Sequence, residues 1–171
     1  MNRVIKVLLL TILPIFTLAA QKDALRLQPW HPPTAAQLGS AEEQKWRDGD
    51  PAHYLSVTGD FDGDGKPDEA RIMVRGDGKG FAIFVKLGAS PTPVKIEELP
   101  DITKLRSMGI KLVPPAEYPT ACARGLDCAE DEPRYIRVKH SAIDFFQPDV
   151  ADRYYYWDDA RHTFANVGIN G

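Results

Sequence analysis

Asp60, Asp62, Asp64 and Asp68 occupy the first, third, fifth and ninth places of one short stretch, Asp60-Phe61-Asp62-Gly63-Asp64-Gly65-Lys66-Pro67-Asp68. Four carboxylates this close repel one another unless a counter-charge sits among them. A hard divalent cation removes the conflict, and oxygen donors spaced by glycines are what calcium takes. Asp60, Asp62 and Asp64 can curl inward around one centre. Gly65 permits the sharp turn that aims the Lys66 carbonyl back at the ion, while the Lys66 side chain points away. Asp68 closes the set, directly or through a water. The chemistry expected of this stretch is Ca2+ binding by Asp60, Asp62, Asp64, Lys66 and Asp68. The plainer reading is an acidic, glycine-rich turn without metal.

An EF-hand shares the first six positions, but its twelfth should be a bidentate Glu. Here the twelfth residue is Arg71, a cation. Its eighth position needs a backbone N–H, which Pro67 lacks. The flanks, Leu55-Ser56-Val57 and Ala70 to Val74, alternate with period two as strands do, not with the period of helices. The run Gly59 to Ala70 resembles the Asp-x-Asp-Gly-Asp-Gly-x-x-Asp-x-Ala loop of FG-GAP/VCBS-type calcium-loop repeats. The resemblance implies a loop that joins two strands and binds one calcium ion through Asp60, Asp62, Asp64, the Lys66 carbonyl and Asp68. Only one copy is present, and a propeller needs repeated blades. What is implied is a calcium-tied hairpin. Tyr118-Pro119-Thr120-Ala121-Cys122 and Tyr155-Tyr156-Trp157-Asp158 are similar to segments of a group of small exported proteobacterial proteins.

Residues 1–20 read as a secretory signal. Arg3 and Lys6 precede an apolar run, Val7 to Leu18, that is short for a membrane span. Cleavage is expected after Ala19 or Ala20, and the destination is periplasmic or secreted. About 150 residues remain, enough for one domain with a real core. The chain's net charge is −3, and loss of the two signal cations leaves −5. A mildly acidic chain without a basic run argues against nucleic acid and against anionic membrane surfaces. Cys122 and Cys128 are an even pair in an exported chain, with a glycine between them for the turn, and a disulfide is expected. Their spacing is not that of a Cys-x-x-Cys redox site.

These residues must be positioned by a mostly β, or α+β, fold. The expectation is an antiparallel sheet of about seven short strands with a minor N-terminal helix. Residues 21–52 read as an arm with Trp30 as anchor, then a short helix over 34–47 or two separate helical turns. Ser40-Ala41-Glu42-Glu43 is a capping-box pattern, Gly39 weakens the middle, and Trp46 is placed to dock on the core. The calcium-loop β domain spans 53–171. Its alternating segments include Glu69–Arg75 with Ala70, Ile72 and Val74 on one face, Phe81–Leu87, Arg134–His140 with Ile136 and Val138 inward, and the aromatic run Arg153–Trp157. Gly76 to Gly80 mimics a phosphate loop, but no Lys-Ser/Thr pair follows, so it reads as a hairpin turn. The stretch from Pro114 to Glu132 reads as irregular and tied down by the disulfide.

Other chemistry is sparse. His31, His53, His140 and His162 show no metal-ligand spacing, and there is no Gly-x-Ser-x-Gly elbow. Asp144, Asp149, Asp152, Asp158 and Asp159, with Tyr154 to Trp157 as a stacking platform, are the acids a glycoside hydrolase would use. Asp158-Asp159 reads more simply as a hairpin turn. The sequence thus points to a non-catalytic, calcium-stabilised exported domain that serves as a binding or structural module for an envelope protein or glycan. The alternative is an envelope hydrolase acting on a glycan or phosphoester.

Overall fold

The computed structural model describes residues 30–126, 128 and 130–170. The expected signal segment and the start of the arm lie outside them. Eleven strands are present among the described residues: β1 (Trp30–His31), β2 (Ser56–Gly59), β3 (Asp68–Arg75), β4 (Phe81–Lys86), β5 (Val94–Leu99), β6 (Gly109–Val113), β7 (Ala116–Pro119), β8 (Tyr135–Val138), β9 (Ala142–Gln147), β10 (Ala151–Asp158) and β11 (Thr163–Asn170). They form antiparallel sheets, so the fold is mostly β as the alternation predicts, with eleven strands in place of about seven. In the first sheet the order is β1-β3-β4-β5, and β2 pairs with the other end of β3. In the second it is β11-β10-β9-β6, while β7 and β8 form a separate hairpin.

The helical part is small. α1 covers only Ala35–Leu38, and a 3₁₀ turn over Lys45–Arg47 follows. Gly39, with φ of +96°, stops α1, so the alternative of two helical turns is the one realised. A longer 3₁₀ segment, Ile102–Ser107, is capped by Asp101. No helix among the described residues is long and apolar enough to cross a membrane.

Period two dictates what is buried. Ala70, Ile72 and Val74 of β3 and Phe81, Ile83 and Val85 of β4 meet Ile110, Ile143, Phe145 and Tyr155 of the second sheet in one core. The opposite face of the second sheet carries Val113, Ala142 and Val167. The β7–β8 hairpin covers it with Ile136 and Val138. Trp30 packs edge-on against Phe84 and tethers β1 to the outer face of the first sheet. Cys122 and Cys128 are joined as a disulfide, their Cα atoms 5.4 Å apart, beside β7.

One cation is built into the interior. Arg47 is wholly buried. Its guanidinium donates to the carbonyls of His53 (2.6 Å), Leu105 (3.0 Å) and Met108 (2.7 Å) and lies 4.1 Å over the Trp46 ring. Burial pulls its pKa down to about 10. It joins the N-terminal turn, the entry to β2 and the end of the 3₁₀ segment through carbonyls that no neighbour in sequence supplies. Replacing it by Met leaves those acceptors unpartnered in the interior. R47M is expected to lose at least about 3 kcal/mol of unfolding free energy in urea titrations, and a variant as stable as the parent would remove this role.

Candidate functional site

The loop from Asp60 to Pro67 closes the β2–β3 hairpin, whose last pair is Gly59 opposite Asp68. Phe61 points into the core and is completely buried, which anchors the start of the loop. Gly63 and Gly65 take φ of +77° and +80°, the left-handed region that lets so short a segment fold back on itself.

Backbone N–H groups turn toward the carboxylates. Asp60 accepts from Gly63 N–H at 2.8 Å on one oxygen and from Gly65 N–H at 3.1 Å on the other. Asp68 is only 1% exposed and accepts three N–H groups. Phe61 (2.7 Å) and Asp62 (3.4 Å) donate to Oδ2, and Gly88 (2.7 Å) donates to Oδ1. Asp60, Asp62 and Asp68 each place a carboxylate oxygen so that the three lie within 4.8 Å of one another. Asp64 stands outside this trio. Its Oδ1 accepts from Lys66 N–H at 2.8 Å, and its Oδ2 is 3.4 Å from Lys66 Nζ.

The electrostatics follow from the crowding. Asp62 is held above the usual carboxylate range, first by burial and then by the charges of Asp68, Asp64 and Asp60, while the Asp64 N–H pulls the other way. Each carboxylate has lone pairs beyond those its N–H partners use. The trio is an all-oxygen, anionic donor set facing a common point, which suits a calcium-sized cation.

The loop also touches the second sheet. Ser141 N–H donates to the Asp60 carbonyl at 3.0 Å. The His140 ring lies flush against Gly63, where an added Cβ would fall 2.2 Å from ring carbon Cε1. His140 Nε2 is in turn 3.1 Å from Asp159 Oδ1, and Lys139 Nζ is 2.8 Å from Asp159 Oδ2. Gly88 and His140 are thus part of the loop's setting, though they lie 20 residues and more from it in sequence and no local pattern marks them.

The other expected acids divide. Asp158 caps the β10–β11 turn through the N–H groups of Ala160 and Arg161, and Asp159 is held by Lys139 and His140. Asp149 sits in the β9–β10 turn with φ of +59°. Asp144 differs. It lies within β9, opposite Lys111 of β6 and Tyr154 of β10, and is 1% exposed. Lys111 Nζ reaches its Oδ2 at 3.1 Å. Its Oδ1 has no hydrogen-bond partner among the described residues. Burial first, and then Asp152, lifts its carboxyl to about 6 against the downward pull of Lys111. The four histidines lie at separate places on the fold, and none joins a metal-ligating group among the described residues.

No protein-family model, no curated protein and no solved structure matches the chain.

Two expectations follow from this geometry. Ala at Gly65 meets no atom within 4 Å and suffers only the positive φ, whereas Ala at Gly63 also drives a methyl into His140. G65A is expected to cost about 1 kcal/mol and G63A roughly two to three times as much in thermal or urea unfolding; equal costs would contradict the contact with His140. The second concerns pH. A carboxyl raised from 3.8 to about 6 on folding adds stability below 3.8, and that contribution is lost as pH rises through 6. D144N cannot titrate. Its stability relative to the parent is expected to improve by about 2–3 kcal/mol between pH 4 and pH 8, read by chemical denaturation at both; an offset independent of pH would refute the assignment.

Proposed function

We propose that the chain is a non-catalytic β domain of the cell envelope or exterior, a binding or structural module whose β2–β3 hairpin is closed by a calcium ion. The observation that carries this reading is the convergence of Asp60, Asp62 and Asp68 at the hairpin end. Those three would hold the ion, with Asp64 and the Lys66 carbonyl as the further oxygen donors that the spacing supplies. The disulfide supports an oxidising compartment, in keeping with the signal read from residues 1–20. Bound there, calcium neutralises the crowded carboxylates and locks the register that sends Ala70, Ile72 and Val74 inward.

Extracellular calcium modules bind at about 10⁻⁴ to 10⁻³ M. With about 1 mM ion and a Kd near 0.1 mM, mass action adds roughly 1.4 kcal/mol. Thermal melts are the test. EDTA is expected to lower the melting temperature by about 3–6 °C, and excess calcium to restore it. D60N and D62N are expected to melt alike in EDTA and in calcium. Melts identical in both conditions, with no calcium retained after reconstitution, would overturn the reading.

One observation favours the hydrolase as a second reading: β9 and β10 bring Asp144 and Asp152 onto one face of the second sheet. That reading requires release of reducing ends from a polysaccharide by the purified protein, abolished in D152N.

A further inference from the structure

On the side away from the β2–β6 seam, the two main sheets end on β5 and β11. The chain treats these two edges differently. β5 carries Lys95, Glu97 and Glu98, follows Pro93 and precedes Pro100. A bulge at Ile96 shifts its register with β4. Glu97 points inward, where the Tyr155 hydroxyl donates to it. Charges, prolines, a bulge and an inward carboxylate are the devices that keep an edge strand from pairing with another chain. β11 lacks them. Thr163–Asn170 holds no charge and no proline, and its register against β10 shifts only beyond Gly168.

One contact shows which backbone groups of β11 face out. Gly168 C=O accepts Ala121 N–H at 2.9 Å, so it points away from β10. In an antiparallel strand the N–H and C=O of one residue lie on one side, and the side alternates along the chain. Phe164 and Asn166 therefore present theirs outward, while Thr163, Ala165 and Val167 give theirs to β10. The outward groups of Phe164 and Asn166 have no hydrogen-bond partner among the described residues.

This free stretch has two stops. Ala121, beside the disulfide, covers Gly168 at one end. At the other, His162, with φ of +50°, turns the chain into the β10–β11 hairpin. Thr163 to Val167 is left, and Ala165 is its centre. A second copy laid antiparallel about a two-fold axis at Ala165 reaches both stops together. Thr163 then lies opposite Val167 of the second copy, Phe164 opposite Asn166, and Ala165 opposite itself. Phe164 and Asn166 fall in the hydrogen-bonded pairs and exchange both bonds. Ala165 takes the close, non-hydrogen-bonded pair, where a small side chain fits. No like charges meet. Phe164 is half-buried in the single chain, with Trp157 edge-on at 5.3 Å, and Asn166 of the second copy would lie across its open flank.

The cost of ordering separates the candidate occupants. A free peptide would have to be fixed along its length for a ladder this short. The β11 of a second copy is already held extended by its own β10.

We propose that the chain self-associates as a two-fold dimer through β11, so that the second sheets of two copies join into one continuous sheet across Ala165. This goes beyond the module reading and does not depend on the calcium loop.

Analytical ultracentrifugation of the full folded chain, with and without calcium, reads the association. A monomer–dimer equilibrium is expected, with a Kd of about 10⁻⁴ M or tighter. Hydrogen exchange followed by NMR is expected to show the Phe164 and Asn166 amides protected in the dimer and open on dilution, while Ala165 and Val167 stay protected in both states. A165K and A165E each set like charges face to face at the axis, and each alone is expected to weaken dimerisation at least about tenfold. An equimolar mixture of the two is expected to dimerise again, a rescue that a folding defect would not give. N166P removes an outward N–H and no bond to β10, and is expected to be monomeric with the core spectrum unchanged. A monomer at about 1 mM, a dimer that N166P leaves intact, fast exchange of Phe164 and Asn166 within the dimer, or no rescue by the mixture with both variants folded would overturn the proposal. Melts in EDTA and in calcium read the metal loop separately, so either reading can fail without the other.

Discussion

A carboxylate buried at the foot of a hairpin is the constraint on which the rest of the structure depends. Asp68 is almost without solvent, so its charge is tolerated only because three backbone N–H groups point at it. Two come from the loop that Asp68 itself closes, and the third comes from Gly88, where the chain leaves β4. One side chain thereby ties the β2–β3 connection to the β4–β5 connection. It also sets the pairing of Gly59 with Asp68. A slip of one residue would turn Ala70, Ile72 and Val74 to the outer face, so the register of the main core is held partly by an electrostatic contact at its edge.

The loop matters beyond its hairpin because it lies on the seam between the two sheets. Phe61 enters the shared core, Ser141 N–H bonds the Asp60 carbonyl, and His140 rests on Gly63. At the far end of β2 the seam is closed by Ile110 N–H on the Tyr54 carbonyl and by the buried Arg47. Both ends of the joint thus set charge against backbone dipoles.

Much of this was legible in the chain. The alternation of β3, β4 and β8 identifies the strands and their inward faces, and Asp60 to Asp68 identifies the turn that joins β2 to β3. What stayed hidden has physical reasons. β1 is two residues long, too short for any period. β7 follows Pro114-Pro115 and ends on Pro119, so its signal is that of an irregular stretch; as a strand paired on one side only, it tolerates the missing N–H. Trp46 is an expected anchor, yet the residue beside it, Arg47, is the one wholly buried. Its partners are carbonyls, which every residue has, and nothing in the sequence marks which will gather around it. Gly88 and His140 complete the loop's surroundings through tertiary contact alone. Asp144 reads as one polar residue in an apolar strand, and only the pairing of β9 with β6 supplies its lysine.

The fold holds two groups of acids, and the cations within reach separate their chemistry. Around Asp60, Asp62 and Asp68 the donors are backbone N–H groups, which orient carboxylates without cancelling their charge, and the nearby ammonium of Lys66 is turned to Asp64. That leaves a net field in which a divalent ion is the natural complement. Around Asp144 the protein brings its own cation, Lys111, while Asp152 is held by the Asn170 amide that Arg124 orients. Burial and the Asp152 charge still lift the Asp144 carboxyl to about 6 against that lysine. The same side chain thus meets two settings, crowded carboxylates oriented by N–H groups on a glycine-rich hairpin and a buried carboxyl beside a lysine within a strand.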